Sequence, residues 1–139
     1  MTETIQIGPM RLEFLRSKHD TGGSLDMFRM TVPPRGQMPV AHYHRDWDET
    51  VYGLEGELTF TVEGVQHAIR PGDMLFVPRG KVHRFDNRSG ADAVALGVLT
   101  PGVLGPEYFR EVAALLAKGK PDPEVMKEIM LRHGLVPAP

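Results

Sequence analysis

Residues 36–56 read GQMPVAHYHRDWDETVYGLEG and, together with residues 72–87, GDMLFVPRGKVHRFDN, they decide the fold of this chain. In the first stretch, His42 and His44 are two residues apart. On a β-strand both side chains therefore project from the same face, about 7 Å apart along the backbone. Glu49 begins the next apolar run after a short turn, and a hairpin pairing would bring it beside the two histidines.

The second stretch supplies His83, which follows a Pro-Arg-Gly turn at residues 78–80. Three neutral imidazoles and one carboxylate suit Fe, Mn, Co, Ni, Cu or Zn better than Ca or Mg. The chain has no cysteine that could provide a thiolate ligand. In an octahedral arrangement, four protein ligands leave two neighbouring positions open for a substrate or dioxygen. We therefore expect one divalent transition metal, held by His42, His44, Glu49 and His83.

Short apolar or alternating runs, separated by turn residues, fill the chain up to about residue 100. In the run ELTFTV, for example, Leu58, Phe60 and Val62 alternate with threonines, which is the period-two pattern of a half-buried strand. Many short strands at close spacing predict an antiparallel sandwich or barrel.

The end of the chain has a helical pattern instead. Apolar residues at helical spacing predict one helix within residues 105–119 and a second over residues 123–133, with Asp122 as the N-cap of the second. We expect a barrel over residues 1–102 and a helical extension over residues 103–139. The extension would pack on the barrel or on a dimer partner.

Length and composition restrict the class of protein. A chain of 139 residues predicts one domain with its own core. The formal net charge is −2 and no basic run stands out, so we expect no nucleic-acid binding. The start of the chain lacks the basic and apolar regions of a secretory signal, and no run approaches about 18 apolar residues, so we expect a cytoplasmic protein without a membrane span.

The two stretches resemble the paired signature motifs of the cupin superfamily, over about residues 30–100. The short segment between the motifs and the helical tail are similar to small, single-domain, quercetin-dioxygenase-like cupins. The resemblance implies an all-β double-stranded β-helix, or jelly roll, followed by two C-terminal α-helices. A homodimer is expected, because such barrels leave sheet edges and an apolar outer face to be covered. The matching motif positions are Gly36, His42, His44, Glu49, Gly56, Gly72, Pro78, Gly80, His83 and Asn87.

The resemblance implies a metal-dependent dioxygenase that acts on a small aromatic or enolisable substrate, with Glu49 as the catalytic base. Two alternatives stay open: a metal Lewis-acid isomerase, lyase or decarboxylase, and a non-catalytic cupin that binds a small molecule. Few charged residues are placed to face inward, which favours an aromatic or mostly apolar ligand. The residues expected to line the substrate pocket are Met38, Trp47, Phe60 and Phe85.

Overall fold

The computed structural model describes residues 2–38 and 40–139. Strands come first and helices follow, apart from one short strand at the end of the chain. Neither helix is long and apolar enough to cross a membrane. In chain order the elements are β1 (Glu3–Ile7), β2 (Met10–Arg16), β3 (Asp26–Val32), β4 (His42–His44), β5 (Asp48–Glu55), β6 (Leu58–Val62), β7 (Val65–Ile69), β8 (Met74–Val77), β9 (His83–Asp86), β10 (Ala93–Thr100), α1 (Gly105–Leu116), α2 (Pro123–Arg132) and β11 (Leu135–Pro137).

Among the described residues, the strands form two antiparallel sheets. The first has six strands in the order β1-β2-β3-β10-β5-β8, and the second has five in the order β11-β4-β9-β6-β7. Strands that follow one another in the chain often lie in different sheets; β4, for example, belongs to the second sheet and β5 to the first. This arrangement is a double-stranded β-helix, so the predicted all-β jelly roll with two C-terminal helices is confirmed.

The core lies between the two sheets and follows from the alternation of each strand. In β3, Phe28, Met30 and Val32 are buried, and the residues between them are partly exposed. From the second sheet, Leu58 and Phe60 are each 1% exposed. Burying side chains of this size stabilises the fold by about 1.5–3 kcal/mol each. The interior is therefore mostly apolar, and the predicted ligands are among its few buried polar groups.

The C-terminal extension contacts the strands of its own chain. Phe109 of α1 packs against Phe14 and Phe28, with ring centroids 5.7 and 5.5 Å apart. The carboxylate of Asp122 accepts a hydrogen bond from the Glu124 N–H (2.9 Å), as expected for the N-cap of α2. After α2 the chain returns to the second sheet as β11, which pairs with β4. The sequence pattern does not predict this last strand.

Candidate metal centre

Three histidines of the second sheet converge inside the barrel. His42 and His44 lie on β4, and His83 lies on the neighbouring strand β9 as the register partner of His42. One ring nitrogen of each imidazole lies within 4.8 Å of the other two, and all three side chains are buried. The ring centroid of His83 is 4.8 Å from that of His42 and 4.6 Å from that of His44. The structure thus brings these three predicted residues together.

Glu49 approaches the histidines from the opposite sheet. It lies on β5, with its Oε1 atom 3.8 Å from His44 Nδ1 and 3.7 Å from His83 Nε2. The expected route, a hairpin between β4 and β5, is wrong because these strands belong to different sheets. The turn between them carries the chain across the barrel. The carboxylate therefore faces the imidazoles across the interior instead of lying beside them in one sheet.

Hydrogen bonds fix the orientation of two of the rings. His42 Nδ1 lies 2.9 Å from the Val40 carbonyl oxygen, and His83 Nδ1 lies 2.9 Å from the Lys81 carbonyl oxygen. A carbonyl oxygen only accepts, so in the neutral form of both rings Nδ1 carries the hydrogen and Nε2 keeps a free lone pair for a metal. Metal-binding histidines commonly have their second nitrogen anchored in this way.

Burial decides the protonation of the two histidines on β4. Loss of water disfavours the imidazolium, and repulsion from His83 adds to it, so the pKa of His42 falls to about 4. Burial also lowers the pKa of His44 to about 3, although the charge of Glu49 opposes this shift. Both imidazoles are therefore neutral near pH 7, which is the state in which they can bind a metal.

His83 and Glu49 are electrostatically coupled. Burial alone would lower the pKa of His83, but attraction to the Glu49 carboxylate outweighs it and raises this pKa. Burial would raise the pKa of Glu49, but the three neighbouring histidines outweigh it and lower this pKa. His83 Nε2 and Glu49 Oε1 are 3.7 Å apart, which is too long for a normal hydrogen bond. The attraction is therefore mainly electrostatic, between the Glu49 carboxylate and the imidazolium form of His83. An ionised carboxylate beside buried imidazoles is a donor set that fits a divalent transition metal.

Three of the residues predicted to line the pocket lie next to one another. Phe60 and Phe85 are register partners on β6 and β9, with ring centroids 5.4 Å apart. Phe85 is two residues from His83 along β9 and therefore lies on the same face of the strand. Met38 is partly buried, and its N–H donates a hydrogen bond to the Phe85 carbonyl oxygen (2.9 Å). An aromatic pair thus adjoins the histidine cluster.

Trp47, the fourth residue predicted to line the pocket, is fully buried. Its ring stacks on the ring of His44, with centroids 4.8 Å apart and an angle of 23° between the planes. Gly134, which is far from Trp47 in the chain, lies next to the same indole. A Cβ atom at position 134 would lie 3.1 Å from Trp47 Cζ3. No pattern in the sequence indicates that Gly134 lies beside the site.

Two antiparallel sheets around an inward-facing histidine cluster define a jelly-roll protein with a site suited to a metal ion. The sequence places the protein more narrowly, because residues 28–99, just over half of the chain, match the cupin domain family. The chain belongs to the cupin family.

Individual relatives cover different parts of the chain. Quercetin 2,3-dioxygenase of Bacillus subtilis (strain 168) is 40% identical over 77 residues, which are 55% of this chain and 22% of that protein. Endoribonuclease YbeY of Myxococcus xanthus (strain DK1622) is 37% identical over 127 residues, which are 88% of this chain and 39% of that protein. The second match is longer than the barrel, so it runs into the C-terminal extension.

Among solved structures, a sugar phosphate isomerase of the cupin superfamily from Silicibacter pomeroyi DSS-3 is 32% identical, with a TM-score of 0.54. The similarity covers 64% of this chain and 59% of that one. This chain therefore spans less than two thirds of the length of each of these three proteins.

Proposed function

We propose that this cupin is a metal-dependent dioxygenase that acts on a small aromatic or enolisable substrate. The observation that carries the proposal is the presence of an aromatic pair, Phe60 and Phe85, beside the buried histidine cluster. The 40% identity to a quercetin 2,3-dioxygenase over 77 residues supports it. The proposed ligands of one divalent metal (Fe, Mn, Ni, Cu, Co or Zn) are His42, His44, Glu49 and His83.

Each of these side chains has a role in the proposed reaction. His42 and His44 are kept neutral by burial and bind through their lone pairs. When bound, the metal supplies Lewis acidity and, if it is redox-active, the electron transfer that dioxygen chemistry requires. Glu49 is ionised at neutral pH and accepts the proton of an enol or phenol hydroxyl on a carboxylate oxygen.

The distribution of charge favours an aromatic or mostly apolar substrate. Arg79 and Lys81 precede His83 closely in sequence, but both are exposed, and Arg79 pairs with Asp48 at 3.1 Å. A phosphorylated sugar would require such cations inside the barrel. The Phe60–Phe85 pair offers instead the ring faces and edges against which a planar substrate packs.

Oxygen uptake tests the proposal. The protein is stripped with a chelator, reloaded with Fe, Mn, Ni, Cu or Zn, and assayed with a flavonol, a catechol and a β-diketone after its metal content is measured. We expect oxygen consumption with at least one substrate and one redox-active metal. Glu49→Gln should lower the rate by about 100-fold or more, because the proton acceptor is lost.

Glu124→Gln provides the matched control, because Glu124 lies on α2 with an 84% exposed side chain. It should leave the oxygen uptake unchanged. Absence of uptake across the whole panel, with confirmed metal content, would overturn the proposal.

A Lewis-acid isomerase, lyase or decarboxylase is the second candidate. It is favoured by the 32% identity to a cupin described as a sugar phosphate isomerase. Here Glu49 would transfer a proton between substrate atoms without dioxygen. Turnover that persists under argon and with redox-inert Zn would support this candidate over the first. Ligand binding without turnover in either assay would instead support a non-catalytic, small-molecule-binding cupin.

We also propose that the protein is a homodimer through the outer face of the first sheet. Three apolar side chains are exposed there: Tyr52 (40%), Met74 (67%) and Phe76 (56%). Leu96 is the register partner of Tyr52 on β10 and, with Val98, continues the same face. We call these five residues the outer patch. An exposed apolar face of this kind is typical of a surface that binds another protein.

A second copy of this chain fits the outer patch because the patch is self-complementary. Arg29 on β3 and Glu55 on β5 carry opposite charges at its border, and their closest N and O atoms are 3.9 Å apart. Across a two-fold axis the same surface meets itself, so the apolar side chains cover one another and opposite charges can pair between copies. Homodimer interfaces are also more apolar than other protein interfaces.

A further inference from the structure

The strand that carries His42 and His44 obtains most of its backbone pairing from the last residues of the chain. On one side, β9 meets β4 in register at a single pair, His42 with His83. On the other side, β11 meets β4 along its whole length. The three register pairs are Leu135 with His44, Val136 with Tyr43, and Pro137 with His42.

Two further hydrogen bonds extend this pairing beyond the ends of β4. The Arg45 N–H donates to the Gly134 carbonyl oxygen (3.0 Å), and the Ala138 N–H donates to the Ala41 carbonyl oxygen (2.8 Å). We call residues 134–138 the C-terminal clasp. A strand of three residues is too short to hold its own geometry, so the clasp fixes where the two imidazoles of β4 point.

The C-terminal clasp also contacts Trp47, whose ring stacks on His44, one of the proposed metal ligands. Gly134 has φ +91°, and a Cβ atom there would lie 3.1 Å from Trp47 Cζ3 and 3.5 Å from Trp47 Cη2. The indole is fully buried and stacks on His44, so it cannot move away from Gly134 without changing that stack. Gly134, Trp47 and His44 therefore form a continuous packed contact from the end of the chain to the site.

We infer that the C-terminal clasp is a positioning element of the metal site, which sets metal affinity by holding β4 and, through Trp47, the ring of His44. The inference depends on the proposed metal site and adds residues far from it in sequence. Because linkage is reciprocal, a clasp that raises metal affinity must itself be stabilised by the metal. Weakening the clasp should therefore weaken metal binding, and metal should slow the opening of the clasp.

Metal affinity of a glycine variant tests the first half of the inference. Gly134→Ala introduces the Cβ contact with Trp47, whereas Gly119→Ala is a matched control, since Gly119 also has a positive φ (+112°) but no atom within 4 Å of its Cβ position. Affinity for Zn²⁺ is measured by competition with a chromophoric chelator. We expect Gly134→Ala to bind about tenfold more weakly than the wild type, and Gly119→Ala to bind within about twofold of it.

A double-mutant cycle tests whether the effect passes through Trp47. Trp47→Phe removes the indole atoms that a Cβ at position 134 would meet. In that background Gly134→Ala should lower Zn²⁺ affinity by less than about twofold, because the two substitutions are coupled. An equal loss in both backgrounds would overturn the transmission through Trp47, and equal affinities of Gly134→Ala and Gly119→Ala would overturn the inference as a whole.

Hydrogen exchange of the unmodified protein decides the question even if Gly134→Ala does not fold. We expect Zn²⁺ to slow exchange of the Arg45 and Ala138 amides by about tenfold or more, while the Ala117 amide at the end of α1 is unaffected. Unchanged exchange at Arg45 and Ala138 in metal-loaded protein would overturn the inference. A wild type that binds no metal would overturn both this inference and the metal site. Metal binding without oxygen uptake would overturn only the dioxygenase proposal.

Discussion

At the residue scale, Trp47 is a built-in reporter of the site. It is the single tryptophan of the chain, and its ring centroid lies 4.8 Å from that of His44. A paramagnetic ion bound by His44 would therefore quench the indole emission at close range. We expect titration of the apo protein with Ni²⁺ or Cu²⁺ to remove most of the tryptophan fluorescence, with saturation at one ion per chain.

Two controls separate quenching at the site from quenching in solution. Zn²⁺ has a filled d shell and should bind without strong quenching, and should protect against Ni²⁺ added afterwards. His83→Ala should lose the saturable response, because His83 contributes to the cluster but does not stack on Trp47. Undiminished emission from a protein with bound Ni²⁺ confirmed by elemental analysis would contradict the assignment of His44 as a ligand.

The sequence predicts the residues that converge at the site better than the residues that support them. The His-x-His spacing of His42 and His44 is encoded by the two-residue period of a strand, which is a local rule. The contact between Gly134 and Trp47 joins residues far apart in the chain, and no periodic pattern encodes it. The stack of Trp47 on the ring of His44 is likewise a tertiary contact that no periodic pattern encodes.

At the scale of elements, the helices were predictable because their ends are marked locally. The expected helices within residues 105–119 and over residues 123–133 correspond to α1 and α2, the second with the predicted Asp122 cap. β11 was not predictable, because it has three residues, one of them a proline, and its pairing is entirely with a distant strand. The expected β4–β5 hairpin failed because a short turn in a jelly roll can also carry the chain between sheets.

Glu111 links the two helices, and this link is sensitive to pH. Its carboxylate accepts hydrogen bonds from Arg132 and His133, and these bonds lower the pKa of Glu111 to about 2 from an ordinary value of 4.5. Because the folded-state pKa is the lower one, the stabilisation is complete above about pH 4.5 and is lost as the pH falls toward 2. The side chain is 34% exposed, so the contribution is limited to about 1 kcal/mol or less.

Glu111→Gln should therefore lower the midpoint of thermal unfolding by about 2–4 °C at pH 7, and the difference should shrink as the pH is lowered from 4.5 to 2. Circular dichroism at a series of pH values measures it. Glu124→Gln should have no such effect, since Glu124 is largely exposed and its closest approach to Lys127 is 4.0 Å. An identical pH dependence for both variants would contradict the role of Glu111.

At the scale of the whole molecule, the outer patch predicts the oligomeric state. A chain of 15.5 kDa should give about twice that mass by size exclusion with light scattering. Phe76→Glu places a charge at an exposed position of the patch and should give the monomer mass. Leu131→Glu is the control, because Leu131 is 50% exposed on α2, outside the patch. A monomeric wild type, or dissociation by both substitutions alike, would argue against this interface.

The barrel should fold without the metal, because the core between the sheets is mostly apolar and the histidine cluster occupies one part of it. His83→Ala removes one imidazole at the cost of a small cavity, and we expect it to lower the free energy of unfolding by about 2 kcal/mol or less. The variant should keep the circular dichroism spectrum of the barrel but lose its metal.

In the wild type, a free metal concentration of about 100 times the Kd should raise the free energy of unfolding by about 2.7 kcal/mol, because the metal binds the folded state alone.

Thermal unfolding with and without Zn²⁺ measures both effects at once. The wild type should unfold at a higher temperature with the metal, and His83→Ala should show no shift. His67→Ala should keep the shift of the wild type, because His67 lies on β7 outside the described cluster. If His83→Ala failed to fold, the cluster would have to be part of what holds the two sheets together, since His83 and Glu49 reach it from opposite sheets. The metal would then act as a cross-link between the sheets as well as a centre for chemistry.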